Sequence, residues 1–242
     1  MKIAHECVLP RGAVHAWFAR LNCDDAFRFA SLLSSDEISR AERFRFAPDR
    51  NRFVATRGLL RLLLSRYADC KPELLKFAYT AYGKPWLTVP ENSSRISFNV
   101  SHSSDLALFG ITRERRIGVD VEAISHAIEG EKLAARFFNA AELSAIRSAS
   151  DSCAEFYRYW VAKEAYTKAV GRGLSIPLHE FQVDRSAEKV IVPDGLVEES
   201  NAISWSVCEL SAPAGYVAAL SVEGPCSALS CGHVNPSLDI TV

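Results

Sequence analysis

Residues 53–68 read FVATRGLLRLLLSRYA, and this stretch begins the first of two similar units that decide the fold. Its apolar residues recur near helical spacing, so it predicts an amphipathic helix over Phe53–Ala68. Downstream, Ile96–Val100 (ISFNV) predicts a strand, Ser103–Asp105 a turn and Leu106–Ile111 (LALFGI) a second strand. The unit is therefore a long helix, a connecting segment and a pair of strands.

The same order of elements returns further along the chain. Phe156–Gly171 (FYRYWVAKEAYTKAVG) predicts a second helix that ends at its glycine. A strand at Ile203–Val207 (ISWSV), a turn around Pro213–Gly215 and a strand at Tyr216–Val222 (YVAALSV) follow it. The repeated Ile-Ser-aromatic-x-Val strand favours two fused copies of one α+β unit, with a ligand cleft between them. The alternative is a chance similarity between short apolar strands.

The composition is that of an ordinary globular protein. The chain has 242 residues, of which 48% are apolar and 24% charged, far from the composition of a disordered chain. Its 28 Lys and Arg against 29 Asp and Glu give a net charge of −1, which argues against a general polyanion binder. No stretch approaches the ~18 apolar residues needed to cross a membrane, so we expect no membrane span.

The cysteines indicate a reducing compartment. There are seven of them, an odd and scattered set, and Met1–Pro10 lacks the apolar centre of a secretory signal. We therefore expect reduced thiols and a cytoplasmic protein. Cys226, Cys231 and His233 have the spacing C-x₄-C-x-H, which lacks the C-x₂-C pairing of common zinc sites and disfavours zinc.

Positive charge is concentrated in one stretch. Between Arg40 and Arg66 there are eight arginines and two acidic residues, a local charge of +6 that leaves −7 for the rest of the chain. Arginine has the planar fork that suits bidentate recognition of phosphate. The cluster is either a solvated helix face or a site for a phosphorylated small molecule or nucleic acid.

Two carboxylates share one face of a third strand. Arg116–Glu122 (RIGVDVE) alternates apolar and polar residues, which places Asp120 and Glu122 on one face and Val119 and Val121 on the other. Neighbouring carboxylates repel unless a proton or a cation neutralises them, and ligation by oxygen alone suits Mg²⁺ or Mn²⁺. The alternative is a solvent-facing strand edge.

A third carboxylate lies on the second helix. Glu164 and Lys168 are four residues apart and share a helix face, with Trp160 one turn earlier. The two charges are either a surface ion pair or a carboxylate and an ammonium placed at a metal and a phosphate.

Two loops offer further polar groups. Tyr82–Trp86 (YGKPW) places Lys84 in a Gly-Lys-Pro turn, and Asn99–Ser103 (NVSHS) supplies an amide, hydroxyls and an imidazole at a strand end. Ser101 next to His102 does not favour a serine hydrolase, because no G-x-S-x-G elbow surrounds the serine.

Taken in order, these segments resemble the Sfp-type 4′-phosphopantetheinyl transferases. The resemblance covers about Leu33 to Pro177 and extends more loosely to Val222. The matching segments are SRAERFRFAPDRNRFVATRGLLR (Ser39–Arg61), YGKP, FNVSHS, IGVDVE, RFFNAAE (Arg136–Glu142) and WVAKEAYTKAVGRGLS (Trp160–Ser175).

The resemblance implies a fold and an activity. The implied fold is α+β, two similar halves related by a pseudo-two-fold axis, with the active site in the cleft between them. We expect an N-terminal half at 1–115, a C-terminal half at 116–224 and a tail at 225–242, packed on the surface or mobile. The implied reaction moves 4′-phosphopantetheine from coenzyme A to a serine of an apo acyl carrier protein, or of a peptidyl or polyketide carrier domain, and releases adenosine 3′,5′-bisphosphate. The implied carriers serve fatty-acid, nonribosomal peptide, siderophore or polyketide assembly, and the implied oligomeric state is a monomer.

The resemblance also implies residue roles. Asp120, Glu122 and Glu164 resemble the magnesium ligands, with Mn²⁺ as a substitute metal. Glu164, or a water beside it, is the candidate base, and Lys168 the group that stabilises phosphate charge. Glu142 would support the metal site or the base. The positions that resemble coenzyme A contacts are Arg40, Arg52, Arg57, Lys84, Pro85, Ser101, His102, Asp120 and Lys168.

Two other functions stay open at this point. One is a Mg²⁺-dependent nuclease or phosphatase that uses the same carboxylates, with the arginines holding nucleic acid. The local character of the +6 stretch argues against nucleic acid as the partner. The other is an inactive module that binds the carrier or coenzyme A, and the presence of all three carboxylates and Lys168 argues against it.

Overall fold

A computed structural model describes residues 9–22, 25–89, 95–197, 203–234 and 240–241. The helices of this part of the chain are α1 (Asp25–Phe29), α2 (Ser35–Glu42), α3 (Ala47–Tyr67), α4 (Gly130–Phe137), α5 (Ala140–Ser148) and α6 (Ser152–Val170). Its strands are β1 (Val14–Arg20), β2 (Lys76–Tyr79), β3 (Pro85–Val89), β4 (Ile96–Ser103), β5 (Leu106–Arg113), β6 (Ile117–Ala123), β7 (Gln182–Asp184), β8 (Lys189–Ile191), β9 (Trp205–Leu210), β10 (Tyr216–Glu223), β11 (Leu229–Val234) and β12 (Ile240–Thr241). Both long helices and the two strand pairs that the sequence predicts are present.

The strands form two five-stranded sheets and a separate hairpin. The first sheet has the order β12-β11-β1-β5-β4, the second has the order β6-β10-β9-β8-β7, and β2 pairs with β3. In the first sheet, β4 and β5 form a hairpin whose second strand pairs antiparallel with β1. In the second sheet, β9 and β10 form a hairpin whose second strand pairs antiparallel with β6. The set β1-β5-β4 therefore has the same connectivity as β6-β10-β9. The mixed α+β fold is confirmed, and this shared connectivity supports the predicted duplication.

The helix α6 has clear start and stop signals. The Asp151 side chain accepts a hydrogen bond of 2.9 Å from the amide of Ala154 at the start. At the end, Gly171 adopts a φ of +85° that favours glycine, and its amide bonds the Thr167 carbonyl. The helix therefore stops at the predicted glycine.

The two sheets pack against each other through an apolar layer. The side chains of Ile117, Val119 and Val121 on β6 are fully buried against residues of β1 and β5 such as Phe18 and Leu108. This is the alternation that the sequence predicts, with Asp120 on the opposite face. β6 thus lies between the first sheet and α6.

The close approach of α6 to β6 depends on Gly118. A Cβ atom at this position would lie 2.0 Å from the Ala165 carbonyl oxygen and 2.3 Å from the Ala169 amide nitrogen. Only a residue without a side chain fits there, because both neighbours are backbone atoms of the helix. Gly118 therefore sets the distance between the strand and the helix.

Residues 229–234 of the predicted tail form a strand of the first sheet. This strand, β11, runs parallel to β1, with Val14 opposite Leu229 and Phe18 opposite His233. The 235–239 segment and Val242 lie outside the described residues. The chain therefore returns from the second sheet to the first after residue 224.

The cysteines and the helices bear on two expectations from the sequence, reduced thiols and no membrane span. Cys70, Cys153, Cys208, Cys226 and Cys231 are free thiols, while Cys7 and Cys23 lie outside the described residues. None of the described helices is both long and apolar enough to cross a membrane.

Candidate active site

Asp120 is the centre of a polar cluster between the sheets. Its Oδ1 accepts hydrogen bonds from Ser101 Oγ at 2.7 Å and from Lys168 Nζ at 2.6 Å. Lys168 Nζ also donates to Ser101 Oγ at 3.1 Å. Because Ser101 is on β4, Asp120 on β6 and Lys168 on α6, the cluster joins elements of both sheets.

The other two carboxylates lie near Asp120. Glu122 Oε2 accepts a hydrogen bond of 2.7 Å from Ser103 Oγ. Burial raises the pKa of Glu122, and the negative charge of Asp120 raises it further. Burial also raises the pKa of Glu164, and the charges of Asp120 and Glu122 add to this, while Lys168 opposes it. Mutual repulsion therefore favours a bound proton or cation at this cluster.

The residues present fit a hard cation in their chemistry. The second carboxylate oxygen of Asp120, Oδ2, is buried and has no hydrogen-bond partner, so it is an acceptor without a donor. Asp120, Glu122 and Glu164 offer only oxygen ligands, the kind that Mg²⁺ prefers. Over the described residues, however, no three His, Cys, Asp or Glu side chains form a preformed metal site. Lys168 partly neutralises Asp120 instead.

The positive charges of Arg52 and Lys168 both act on His102. Arg52 pairs with Asp49 at 3.0 Å on the exposed part of α3. Partial burial lowers the pKa of His102, and the positive charges of Arg52 and Lys168 lower it further. Arg52 and Lys168 are therefore both near enough to His102 for their charges to act on its imidazole.

Arg40 lies at a surface cavity beside the Gly-Lys-Pro turn. Its guanidinium lies over the Phe53 ring, 5.5 Å from the centroid. Together with Arg43, Tyr79 and Gly83 it lines a cavity of about 550 Å³. Arg40 is thus available to an anion that also touches the Gly-Lys-Pro turn.

Arg57 has a structural position that differs from the prediction. Its guanidinium is buried, pairs with Glu37 at 2.9 Å and donates to the Tyr79 hydroxyl. Arg61, also buried, bonds the other oxygen of Glu37 at 2.7 Å. These contacts hold α2 against α3, so neither guanidinium is available to coenzyme A or to nucleic acid. The basic stretch is therefore not one continuous phosphate-binding face.

Lys84 also differs from its predicted role. Its ammonium donates to the carbonyl oxygens of Ile117 at 2.9 Å, Lys168 at 2.7 Å and Ala169 at 2.9 Å. An ammonium has three donors, and all three are used. No N–H of Lys84 is left for a phosphate, although Pro85, which begins β3, remains beside the turn.

Glu142 belongs to a buried ion pair away from the cluster. It accepts from Lys163 Nζ at 2.9 Å and from the amide of Val183 at 2.9 Å, and it forms a capping box with Asn139. Its oxygens are engaged by α5, Lys163 and β7, so a role of Glu142 at the metal site or the base could only be indirect, through Lys163 on α6, and stays a prediction. Sequence reasoning missed Lys163, whose only signal was a charge within the second helix.

A second cavity of similar volume lies beside Lys84. It has a volume of about 540 Å³ and is lined by Tyr82, Trp86, Arg116 and Arg172, among others. None of the three carboxylates lines it. The three carboxylates therefore lie outside this cavity.

Known proteins resemble both parts of the chain. Residues 116–221 match the family model described as the 4′-phosphopantetheinyl transferase superfamily, and residues 22–112 match the one described as 4′-phosphopantetheinyl transferase, N-terminal. The 4′-phosphopantetheinyl transferase HetI of Nostoc sp. is 38% identical over 215 residues, which cover 87% of this chain and 88% of HetI.

Two further relatives carry similar names. A phosphopantetheinyl transferase of Thraustochytrium sp. is 30% identical over 74% of this chain and 68% of its own length. The 4′-phosphopantetheinyl transferase Sfp of Bacillus subtilis is 29% identical over 67% of this chain and 71% of its own length.

Proposed function

The chain belongs to the 4′-phosphopantetheinyl transferase superfamily, and we propose that it transfers 4′-phosphopantetheine from coenzyme A to a serine of an apo carrier protein in a Mg²⁺-dependent reaction. The relatives that carry this name confirm the expected class of enzyme, a 4′-phosphopantetheinyl transferase. The observation that carries the proposal is the Ser101–Asp120–Lys168 cluster with the unpartnered Asp120 oxygen, where β4 of one sheet meets β6 of the other.

The chain's carboxylates have two roles in this proposal. Asp120, Glu122 and Glu164 would hold Mg²⁺, which supplies positive charge against the pyrophosphate when bound. Glu164, directly or through a water, accepts the proton of the carrier serine.

The bond changes balance without any further reactant. The serine oxygen forms a bond to the phosphorus that carries the pantetheine, and the bond from that phosphorus to adenosine 3′,5′-bisphosphate breaks. Lys168 stabilises the charge on the phosphates and can protonate the leaving bisphosphate. Arg40, Arg52, Ser101 and His102 bind the phosphates and adenine of coenzyme A.

The partners follow from the same reaction. We propose that the substrates are coenzyme A and apo acyl, peptidyl or polyketide carriers, and that the enzyme acts as a cytoplasmic monomer. We also propose that residues 1–115 and 116–224 are the two halves of one catalytic unit.

The test is the mass of the carrier. Incubation of the protein with coenzyme A, Mg²⁺ and an apo acyl carrier protein should add one phosphopantetheine to the carrier. Asp120→Asn should abolish the addition and keep the fold, whereas Asp194→Asn, a change at an exposed carboxylate, should have no effect. No mass change on carriers of all three kinds would refute the proposed function.

A further inference from the structure

Lys84 projects from a tightly constrained turn between β2 and β3. The amide of Lys84 bonds Thr80 Oγ1 at 3.1 Å, its carbonyl accepts from the Thr80 amide at 2.9 Å, and the Gly83 amide bonds the Thr80 carbonyl at 2.9 Å. Pro85 restricts the backbone of the residue that precedes it to extended conformations. The Lys84 backbone is therefore held before its side chain makes any contact.

The side chain then passes the end of α6. A Cβ atom at Gly171 would lie 3.3 Å from Lys84 Cδ, so the glycine leaves room for the aliphatic part of the lysine. Beyond it, the ammonium reaches the carbonyl oxygens of Lys168 and Ala169 on α6 and of Ile117 on β6. One group thus bonds the helix and the strand at the same time.

A cation is suited to this place. The last carbonyl groups of a helix have no partners within the helix, and they carry the negative end of its dipole. Here the Thr167 carbonyl is used by the amides of Gly171 and Arg172, while those of Lys168 and Ala169 accept from Lys84. Lys84, which lies in the β2–β3 turn, therefore caps the C-terminal end of α6.

We propose that Lys84 is a positioning residue that locks the C-terminal turn of α6 to β6 and so holds the Lys168 side chain on Asp120. The residue whose carbonyl it binds at 2.7 Å is the same Lys168 whose ammonium meets Asp120 at 2.6 Å. Its bond to Ile117 fixes the strand three residues before Asp120. Lys84 therefore holds the backbone near both Lys168 and Asp120, the two residues of the ion pair. This role rests on the proposed transferase function only in its kinetic consequence.

The protonation state of Lys84 is compatible with this positioning role. Burial, with a smaller contribution from the charge of Arg116, lowers the pKa of Lys84 to about 8. At neutral pH the side chain is still mainly an ammonium, which keeps its three donors.

The first measurement uses wild-type protein without substrates. With ¹⁵N-labelled lysine, the Lys84 ammonium should give a resonance protected from solvent exchange before coenzyme A is added, and coenzyme A should leave its position unchanged. An exposed ammonium, or one that becomes protected only with coenzyme A, would overturn the proposal and favour a direct contact. This result does not depend on activity.

The second measurement separates positioning from binding. Lys84→Met should lower kcat by ~10²-fold, as expected when reacting groups are misplaced by about 1 Å, with a KM for coenzyme A changed less than threefold. Hydrogen exchange of the 164–172 segment should increase, and Lys84→Arg should restore part of kcat. The control is Lys76→Met, at an exposed lysine on β2 of the same hairpin.

The outcomes are distinct. A rise in KM with kcat unchanged, or unchanged hydrogen exchange in the 164–172 segment of Lys84→Met, would overturn the lock. If Lys84→Met does not fold, the proposal is tested by the Lys84 ammonium resonance of the wild-type protein and by the kcat of Lys84→Arg. Failure of the wild-type protein to modify any carrier would count against the proposed function alone, because the resonance measurement still tests Lys84.

Discussion

The distance between α6 and β6 can be changed by one methyl group. In Gly118→Ala, the new Cβ would lie 2.0 Å from the Ala165 carbonyl oxygen, whereas real Cβ contacts essentially never fall below 3.0 Å. Because the obstacle is helix backbone in a close-packed interior, the helix must move away by about 1 Å. The contact of 2.6 Å between Lys168 Nζ and Asp120 Oδ1 would then exceed hydrogen-bond distance.

The expected result is a kinetic defect larger than the loss of stability explains. We expect kcat to fall by ~10²-fold or more, with a lower free energy of unfolding by about 1–3 kcal/mol. Initial rates of carrier modification at saturating coenzyme A and Mg²⁺ give the first quantity, and denaturant unfolding gives the second. Rates must be measured where the variant is fully folded.

A second glycine provides the control. A Cβ at Gly110 on β5 would also be crowded, but its nearest neighbours are the Cγ1 of Val119 at 2.5 Å and the Cδ1 of Ile117 at 3.0 Å. Both are buried β-branched residues on the core face of β6, so Gly110→Ala should lose stability but lose less kcat than Gly118→Ala, because its methyl group presses on that face and not on α6. Wild-type kcat in Gly118→Ala would refute the argument that this glycine sets the geometry of the site.

Three further predictions concern other charged groups. Glu37→Gln leaves two buried guanidinium groups without a counter-ion, so we expect the free energy of unfolding to fall by roughly 3–5 kcal/mol, and a loss below 1 kcal/mol in denaturant unfolding would contradict this. Arg52→Ala should weaken the binding of coenzyme A much more than that of dephospho-coenzyme A in calorimetry, and equal losses would place Arg52 away from the 3′-phosphate. Burial lowers the pKa of His15, so below the ordinary value of about 6.5 the unfolded state binds more protons than the folded state. Stability should therefore fall as the pH falls below 6.5, and His15→Gln should remove this part of the slope, whereas an unchanged slope would assign it to other groups.

The sequence predicts what local patterns determine. The end of α6 follows from Gly171, and the division of β6 into a carboxylate face and a core face follows from its alternation. The proximity of Asp120 and Glu164 came from the family resemblance, because they are 44 positions apart and no local pattern joins them.

Long-range partners could not be predicted in the same way. Arg57 and Arg61 look like surface charges until Glu37, twenty or more positions away, is placed between them. Lys84 binds backbone carbonyls, and a carbonyl leaves no mark in a sequence. The i,i+4 spacing of Glu164 and Lys168 suggested a pair, yet Lys168 turns to the more deeply buried Asp120.

The parallel pairing of β11 with β1 has a consequence for biosynthesis. β1 and β11 are about 215 positions apart, so the outer side of β1 has no neighbour until residues 229–234 have been translated. Unpaired strand edges invite association with other chains. The first sheet therefore cannot close when residue 115 is complete, but only after β11 has left the ribosome. A nascent chain arrested after residue 224 should be prone to aggregation even though every predicted site residue has already been made.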